Sequence, residues 1–274
     1  MPYLKINGIK MAVETFGDMD KPALILLQGG VCGAIGRHYW EGFDMVGRLS
    51  QDLFVITFDR RGHGYTPFSG TFDDTVSDII AVMDTLCIPK AFVAGGSLGT
   101  YIGGRAAILY PDRLSGLILI APHTHAEGKT PANQWAERNN IPLERMTDVN
   151  DPELKALQDF ATWGPNPTQT AKDEFNGLWE KYSYIPPLSP EETQKAYQAM
   201  GWFDNREGYK TLTVPTLIFG GKYDGFCPVE EARSIHEWVK GSRYIEFEDG
   251  GHNLPFTHTD EIIAAIKEFC ASVG

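Results

Sequence analysis

Short runs that are apolar on both faces recur along the chain, and each leads into Gly, Pro or Asp. They are Ala23 to Leu27, Phe54 to Phe58, Ala91 to Ala94, Leu117 to Ala121, Thr216 to Phe219 and Tyr244 to Phe247. A strand that is apolar on both faces must be covered on both, which is the condition of a parallel sheet lying between two layers of helix. The intervening segments carry helical spacing, as in Val76, Ile79, Ile80, Met83 and Leu86, and again in Ile262, Ile263, Ile266, Phe269 and Cys270. This alternation predicts an α/β fold with a doubly wound, mostly parallel sheet. At the start, Asn7-Gly8 stands between two alternating segments, Tyr3 to Ile6 and Met11 to Phe16. That pair of turn residues favours a hairpin, because both tolerate positive φ.

The rhythm breaks between about His123 and Lys210. Here there is no strand-like run, only polar, helix-like segments interrupted by prolines such as Pro131, Pro142, Pro152, Pro165 and Pro190. We read this as a helical lid over residues 123–210, inserted into a core formed by residues 1–122 and 211–274. The insertion is rich in large side chains, including Trp135, Phe160, Trp163, Phe175, Trp179, Tyr182 and Trp202. Aromatic residues at helical spacing mostly pack inward, and the remainder are candidates to line an apolar pocket.

Charge and cysteine content exclude several function classes. Lys and Arg total 24 against 36 Asp and Glu, a net charge of −12, and no basic run offers a surface that could track phosphates. Nucleic acid is not an expected partner. The four cysteines, Cys32, Cys87, Cys227 and Cys270, form no C-x-x-C pair, so neither a zinc knuckle nor a disulfide framework is suggested. The first residues lack a basic stretch followed by an apolar run, and no segment is long and apolar enough for a membrane span. A cytoplasmic protein with reduced thiols and no membrane association is the expectation. No Gly-Lys-Ser/Thr loop is present, so no nucleotide cofactor is implied. His123 and His125 lack a further ligand cluster at metal spacing, and no metal is implied either.

The chemistry is concentrated in Gly95-Gly96-Ser97-Leu98-Gly99, between the run Ala91 to Ala94 and the helix-compatible segment Thr100 to Tyr110. A sharp strand-to-helix turn needs residues without bulky side chains around a nucleophile held in a strained conformation. It exposes the Ser97 hydroxyl at the sheet's carboxyl edge and turns the free N–H groups of a helix toward the reacting centre. With these residues the chain resembles the α/β-hydrolase fold family over nearly its whole length. Phe58-Asp59-Arg60-Arg61-Gly62-His63-Gly64 is similar to the family's Asp-x-Arg-Gly-His-Gly turn, which is mainly structural there. Leu26-Leu27-Gln28-Gly29-Gly30 occupies the place of its His-Gly-x loop, with Gln28 where His is usual.

The resemblance implies a set of site residues. Ser97 is the nucleophile. His252, in Asp249-Gly250-Gly251-His252-Asn253, is its base, and Asp224, after the run Thr216 to Phe219, is the orienting acid. Their order, Ser then Asp then His, is the one expected for this fold. The N–H of Leu98 follows from its place after the nucleophile as one oxyanion donor; Gly30 is the other, with Val31 the alternative. Val31, His123, Trp135, Trp163 and Trp179 are expected to contact substrate. Cys32 and Cys227 fall near these loops and read as small apolar fillers rather than nucleophiles.

The function implied is a serine hydrolase acting through an acyl-enzyme on a carboxylic ester or lactone of a small to medium apolar molecule. A second reading is an aminopeptidase of the proline iminopeptidase type, whose oxyanion loop usually reads His-Gly-Gly-Pro-Gly where this chain has Gln28-Gly29-Gly30-Val31-Cys32. Carbon–carbon bond hydrolysis and a ligand-binding receptor of slow turnover use the same constellation.

Overall fold

The apolar runs of the sequence become the strands of one eight-stranded sheet in a computed structural model of the chain. The structure describes residues 3–30, 37–129, 131–148, 150–185, 189–200 and 202–273. The strands are β1 (Tyr3–Ile6), β2 (Ile9–Phe16), β3 (Ala23–Leu27), β4 (Phe54–Phe58), β5 (Ala91–Gly96), β6 (Leu114–Ile120), β9 (Thr216–Gly221) and β10 (Arg243–Phe247). Between β6 and β9 lies a separate two-stranded ribbon, β7 (His125–Glu127) and β8 (Trp202–Asp204). In the large sheet the order is β1-β2-β4-β3-β5-β6-β9-β10, with β2 antiparallel to both its neighbours, β1 and β4, and every other pair parallel. The hairpin closes on Asn7 and Gly8, whose φ values of 45° and 83° are those of the expected turn.

Helices cover both faces. On one side lie α2 (Phe72–Thr85), α3 (Leu98–Leu109), α8 (Arg206–Lys210) and α9 (Val229–Trp238); on the other, α1 (Met45–Ser50) and α11 (Thr259–Val273). A short helix, α10 (Leu254–Thr257), precedes α11. Helix α2 begins in a capping box, in which Thr71 and Asp74 satisfy each other's backbone N–H groups. Every residue of β3, β4 and β5 is buried, as strands covered on both faces require.

Residues between β7 and β8 form α4 (Pro131–Arg138), α5 (Pro152–Trp163), α6 (Gln169–Lys181) and α7 (Pro190–Met200). Pro152 opens α5 behind Asp151, whose carboxylate accepts from the Glu153 and Leu154 amides. The helices have two small apolar cores of their own. One gathers Trp135, Ala136, Ile141, Leu154 and Ala161; the other joins Trp163, Leu178, Tyr182 and Ile185 to Phe256 of α10. The β7–β8 ribbon was not legible in the sequence, because three residues per strand carry too little periodicity. It places Ala126 and Phe203 in the main core, where the Phe203 ring stacks on Tyr101 at 4.2 Å and on Phe72 at 5.5 Å. Among the described residues no helix is long and apolar enough to cross a membrane.

Candidate active site

The turn from β5 into α3 is built by what its neighbours exclude. A side chain at Gly95 would lie 2.4 Å from the Gly99 carbonyl carbon, and one at Gly99 would lie 2.3 Å from the Leu27 carbonyl oxygen. Glycine at both positions lets the helix start directly against β3 and β5. Ser97 sits between them at φ 49° and ψ −120°, a conformation costing about 1–3 kcal/mol for a residue with a side chain. Its own N–H donates to the Ile120 carbonyl at 2.9 Å, which fixes the strained residue to the end of β6. The next amide, Leu98, is the first of α3 and has no partner within the helix. On the other flank Gly29 comes so close that a side chain there would stand 3.1 Å from Ser97 Cβ.

Three side chains meet at this edge of the sheet. His252 Nε2 lies 3.0 Å from Ser97 Oγ, and His252 Nδ1 lies 2.9 Å and 3.0 Å from the two carboxylate oxygens of Asp224. Asp224 is buried in the turn after β9, and its Oδ1 also accepts the amides of Phe226 at 2.9 Å and Cys227 at 2.8 Å. With the carboxylate acceptor on Nδ1, the neutral ring carries its proton there and leaves Nε2 as an acceptor for the serine O–H. Such an arrangement can take a proton from the hydroxyl as it attacks a carbonyl.

The loops carrying Asp224 and His252 are tied to the end of α5. The amides of Gly225 and His252 both donate to the Ala161 carbonyl, at 3.3 Å and 3.1 Å, and that of Asn253 donates to Thr162 at 2.9 Å. Helix α5 stops immediately afterwards at Gly164, with φ 75°. The opposite side rests on Arg60, a buried guanidinium whose Nη2 donates to the carbonyls of Gln28 at 3.0 Å and Gly30 at 2.9 Å. Burial lowers the Arg60 pKa to about 9, which leaves it a cation at neutral pH. Arg61 serves the scaffold instead, in a buried two-point ion pair with Asp78 of α2.

Beside Ser97 is a cavity of about 130 Å³, walled by Gln28, Gly29, Gly30, His38, Tyr39, Phe175, Trp179, His252, Asn253 and Phe256. That is below the roughly 300–1,000 Å³ of pockets for drug-sized ligands. Asp224, Cys227 and His252 bring three potential metal-binding atoms within 4.8 Å of one another. The carboxylate and imidazole are already hydrogen-bonded, and burial raises the Cys227 thiol well above its usual range, so it stays protonated. These donors fit a hydrogen-bonded set better than a metal's ligands.

A family model for the alpha/beta hydrolase fold matches residues 22–259. The chain belongs to that family. It is 25% identical to a proline iminopeptidase of Pestalotiopsis fici, with 97% of each chain covered. It is 27% identical to a pimeloyl-[acyl-carrier protein] methyl ester esterase of Aliivibrio salmonicida, covering 90% of this chain and 91% of that one. Among solved structures, an enol-lactonase from Burkholderia xenovorans superposes with a TM-score of 0.76 at 20% identity, covering 98% of this chain and all of that one.

Within this α/β hydrolase the structure brings Ser97, Asp224 and His252 together and sets Gly30 and Leu98 beside them. Of the residues expected at the substrate, Trp179 walls the cavity. Trp135 and Trp163 are buried in the two small cores of the inserted helices. His123 is buried against Tyr101 and lies 3.7 Å from Glu231, away from the cavity wall. Val31 lies outside the described residues, as does Cys32. Tyr39, Asn253 and Phe256 belong to the wall without having been singled out in the sequence. Asn253 had one available signal, its adjacency to His252; Tyr39 and Phe256 had none.

Proposed function

We propose that this protein is a serine hydrolase that cleaves a carboxylic ester or lactone of a small substrate through an acyl-enzyme. The observation that carries the reading is the continuous chain from Ser97 Oγ through His252 to Asp224, beside a small, mainly apolar cavity. In this mechanism His252 Nε2 takes the hydroxyl proton as Ser97 Oγ bonds to the substrate carbonyl carbon. The developing oxyanion is met by the amides of Leu98 and Gly30, fixed donors that need no reorganisation as charge appears. Asp224 holds the ring's tautomer and stabilises the imidazolium. The imidazolium then gives its proton to the leaving alcohol, and the same ring activates water to release the acid. Residues 123–210 act as the lid, with α6 contributing Phe175 and Trp179 to the pocket. A volume near 130 Å³ holds about four water-sized groups, which favours a short acyl chain.

The iminopeptidase reading is disfavoured by the cavity's chemistry. A free ammonium needs a carboxylate to meet it, and no described residue of the wall supplies one. Glu174 accepts the Phe43 amide, Glu191 pairs with Lys195, and Glu192 bonds Ser189. The deciding experiment is hydrolysis of p-nitrophenyl esters from acetate to octanoate, with Ser97→Ala protein as the blank. Turnover that requires Ser97 and declines beyond short chains is expected; release that persists in Ser97→Ala protein would overturn the assignment.

A further inference from the structure

Arg60 is a cation buried without an anion beside it. The residue is 2% exposed, and among the described residues no carboxylate pairs with it, so that burial alone moves its pKa. Its neighbour Arg61 shows the ordinary solution, the two-point ion pair with Asp78. A buried charge is costly unless it is paired or hydrogen-bonded, and Arg60 sets one nitrogen, Nη2, against three acceptors. They are the Gln28 carbonyl at 3.0 Å, the Gly30 carbonyl at 2.9 Å and His63 Nε2 at 3.2 Å. Burial and the charge of Arg60 hold the His63 pKa well below its usual value, so the ring is neutral and can offer a lone pair at Nε2.

The two carbonyls flank the Gly29–Gly30 peptide. Successive glycines leave a backbone with more freedom than any other pair of residues, and Gly30 stands at φ 75°. A single nitrogen holding the carbonyl on each side removes much of that freedom before substrate arrives. The same peptide is pressed against the nucleophile turn, where a side chain at Gly29 would stand 3.1 Å from Ser97 Cβ and 3.2 Å from the Gly96 carbonyl oxygen. Donors fixed in advance are the ones that stabilise developing charge without reorganising.

Resting on the hydrolase reading above, we propose that Arg60 is a positioning residue for the oxyanion: it clamps the Gly29–Gly30 peptide so that the Gly30 amide is preset for the developing charge, and it brings an uncancelled positive charge to that loop. The guanidinium's field is not neutralised by a carboxylate, and it acts through a buried, low-dielectric wall, where it favours an anion over a neutral carbonyl. Neither effect helps to bind an uncharged ester. The contribution of Arg60 therefore belongs to the transition state rather than to substrate affinity.

The test uses Arg60→Met, which keeps apolar bulk without the charge, and Arg60→Gln, which keeps an N–H donor without the charge. On p-nitrophenyl butyrate kcat/KM should fall on the order of 10²-fold, the loss found when one oxyanion donor is removed, with KM within threefold of its unaltered value. Two ketones then separate positioning from general damage. Trifluoromethyl propyl ketone bonds its carbonyl carbon to Ser97 Oγ, passes the hydroxyl proton to His252 and leaves an oxyanion; methyl propyl ketone binds as an intact carbonyl. Inhibition by the first should weaken at least tenfold more than inhibition by the second. Val82→Ala, in the core beneath α2, is the control and should lower Tm with kcat/KM within threefold. A folded Arg60→Met or Arg60→Gln protein with kcat/KM within threefold of the unaltered protein, or equal weakening of the two ketones, would overturn the proposal. Failure of both variants to fold would overturn it as well, since Arg60 would then hold the core rather than the oxyanion loop. Absence of Ser97-dependent turnover in the unaltered protein would sink the hydrolase reading itself, whereas turnover that needs Ser97 but not Arg60 would sink the positioning role alone.

Discussion

Replacing Gly251 by alanine places a methyl group 2.4 Å from the Gly164 nitrogen, 2.6 Å from the Trp163 carbonyl carbon and 2.7 Å from that of Thr162. All three are backbone atoms at the end of α5, so no side chain can swing aside. Restoring ordinary contact requires the His252 loop and α5 to separate by about 1 Å, since close-packed interiors give little. The same movement stretches the bonds from the His252 and Asn253 amides to Ala161 and Thr162. It therefore carries the His252 ring away from Ser97 and Asp224. A misplacement of that size costs on the order of 10²-fold in rate, equivalent to about 2.7 kcal/mol of transition-state stabilisation. Overpacking adds about 1–3 kcal/mol of destabilisation, a fall of several degrees in Tm. The assay is kcat/KM on p-nitrophenyl butyrate beside a thermal melt and near-ultraviolet circular dichroism. Gly177→Ala is the control: Gly177 is exposed within α6 with nothing near its missing side chain, and the change should stabilise by about 0.5–1 kcal/mol. Gly251→Ala activity within threefold of the unaltered protein would refute the claim that α5 sets the position of His252.

Asp224→Asn should keep the fold while lowering kcat by on the order of 10⁴, the loss found when a triad's acid is replaced by its amide; a few-fold effect would reassign the acid. Acidification from pH 7.5 to 5.5 should lower the urea midpoint. The pKa values of His38, His63 and His123 are all lowered by burial, that of His63 further by the nearby Arg60. Below about pH 6.5 the unfolded chain takes up protons that these rings refuse. Each ring then removes up to about 1.4 kcal/mol of stability per pH unit until its folded-state pKa is reached. A midpoint that is flat or rises over that range would show that the rings are not held neutral.

Much of this scaffold is a local property of the chain. The runs at Ala23–Leu27 and Phe54–Phe58 coincide with β3 and β4 residue for residue, because being apolar on both faces is itself the signature of a covered strand. Gly95 and Gly99 announce the elbow because the contact that excludes a side chain lies within a few residues, or on the adjacent strand, of the turn itself. Ser97, Asp224 and His252 were legible through the resemblance to the family, which places each after a strand whose end the sequence marks.

What lines the cavity was decided elsewhere. Its wall is assembled from residues 28–30, 38–39, 97, 175, 179, 252, 253 and 256, which are neighbours only after the sheet has formed and α6 has settled on α10. Periodicity tells that an aromatic side chain will be buried but not against what, so Trp135 and Trp163 in the insertion's own cores and Trp179 at the cavity read alike in the sequence. The bracing of His252 and Asp224 by α5 runs through backbone carbonyls, to which the identity of a residue is nearly irrelevant. The sequence by itself determined the sheet, the turn and the residue types able to do acyl transfer. The tertiary structure decided which loop holds them in register and which side chains wall the cavity, because both depend on contacts between segments far apart in the chain.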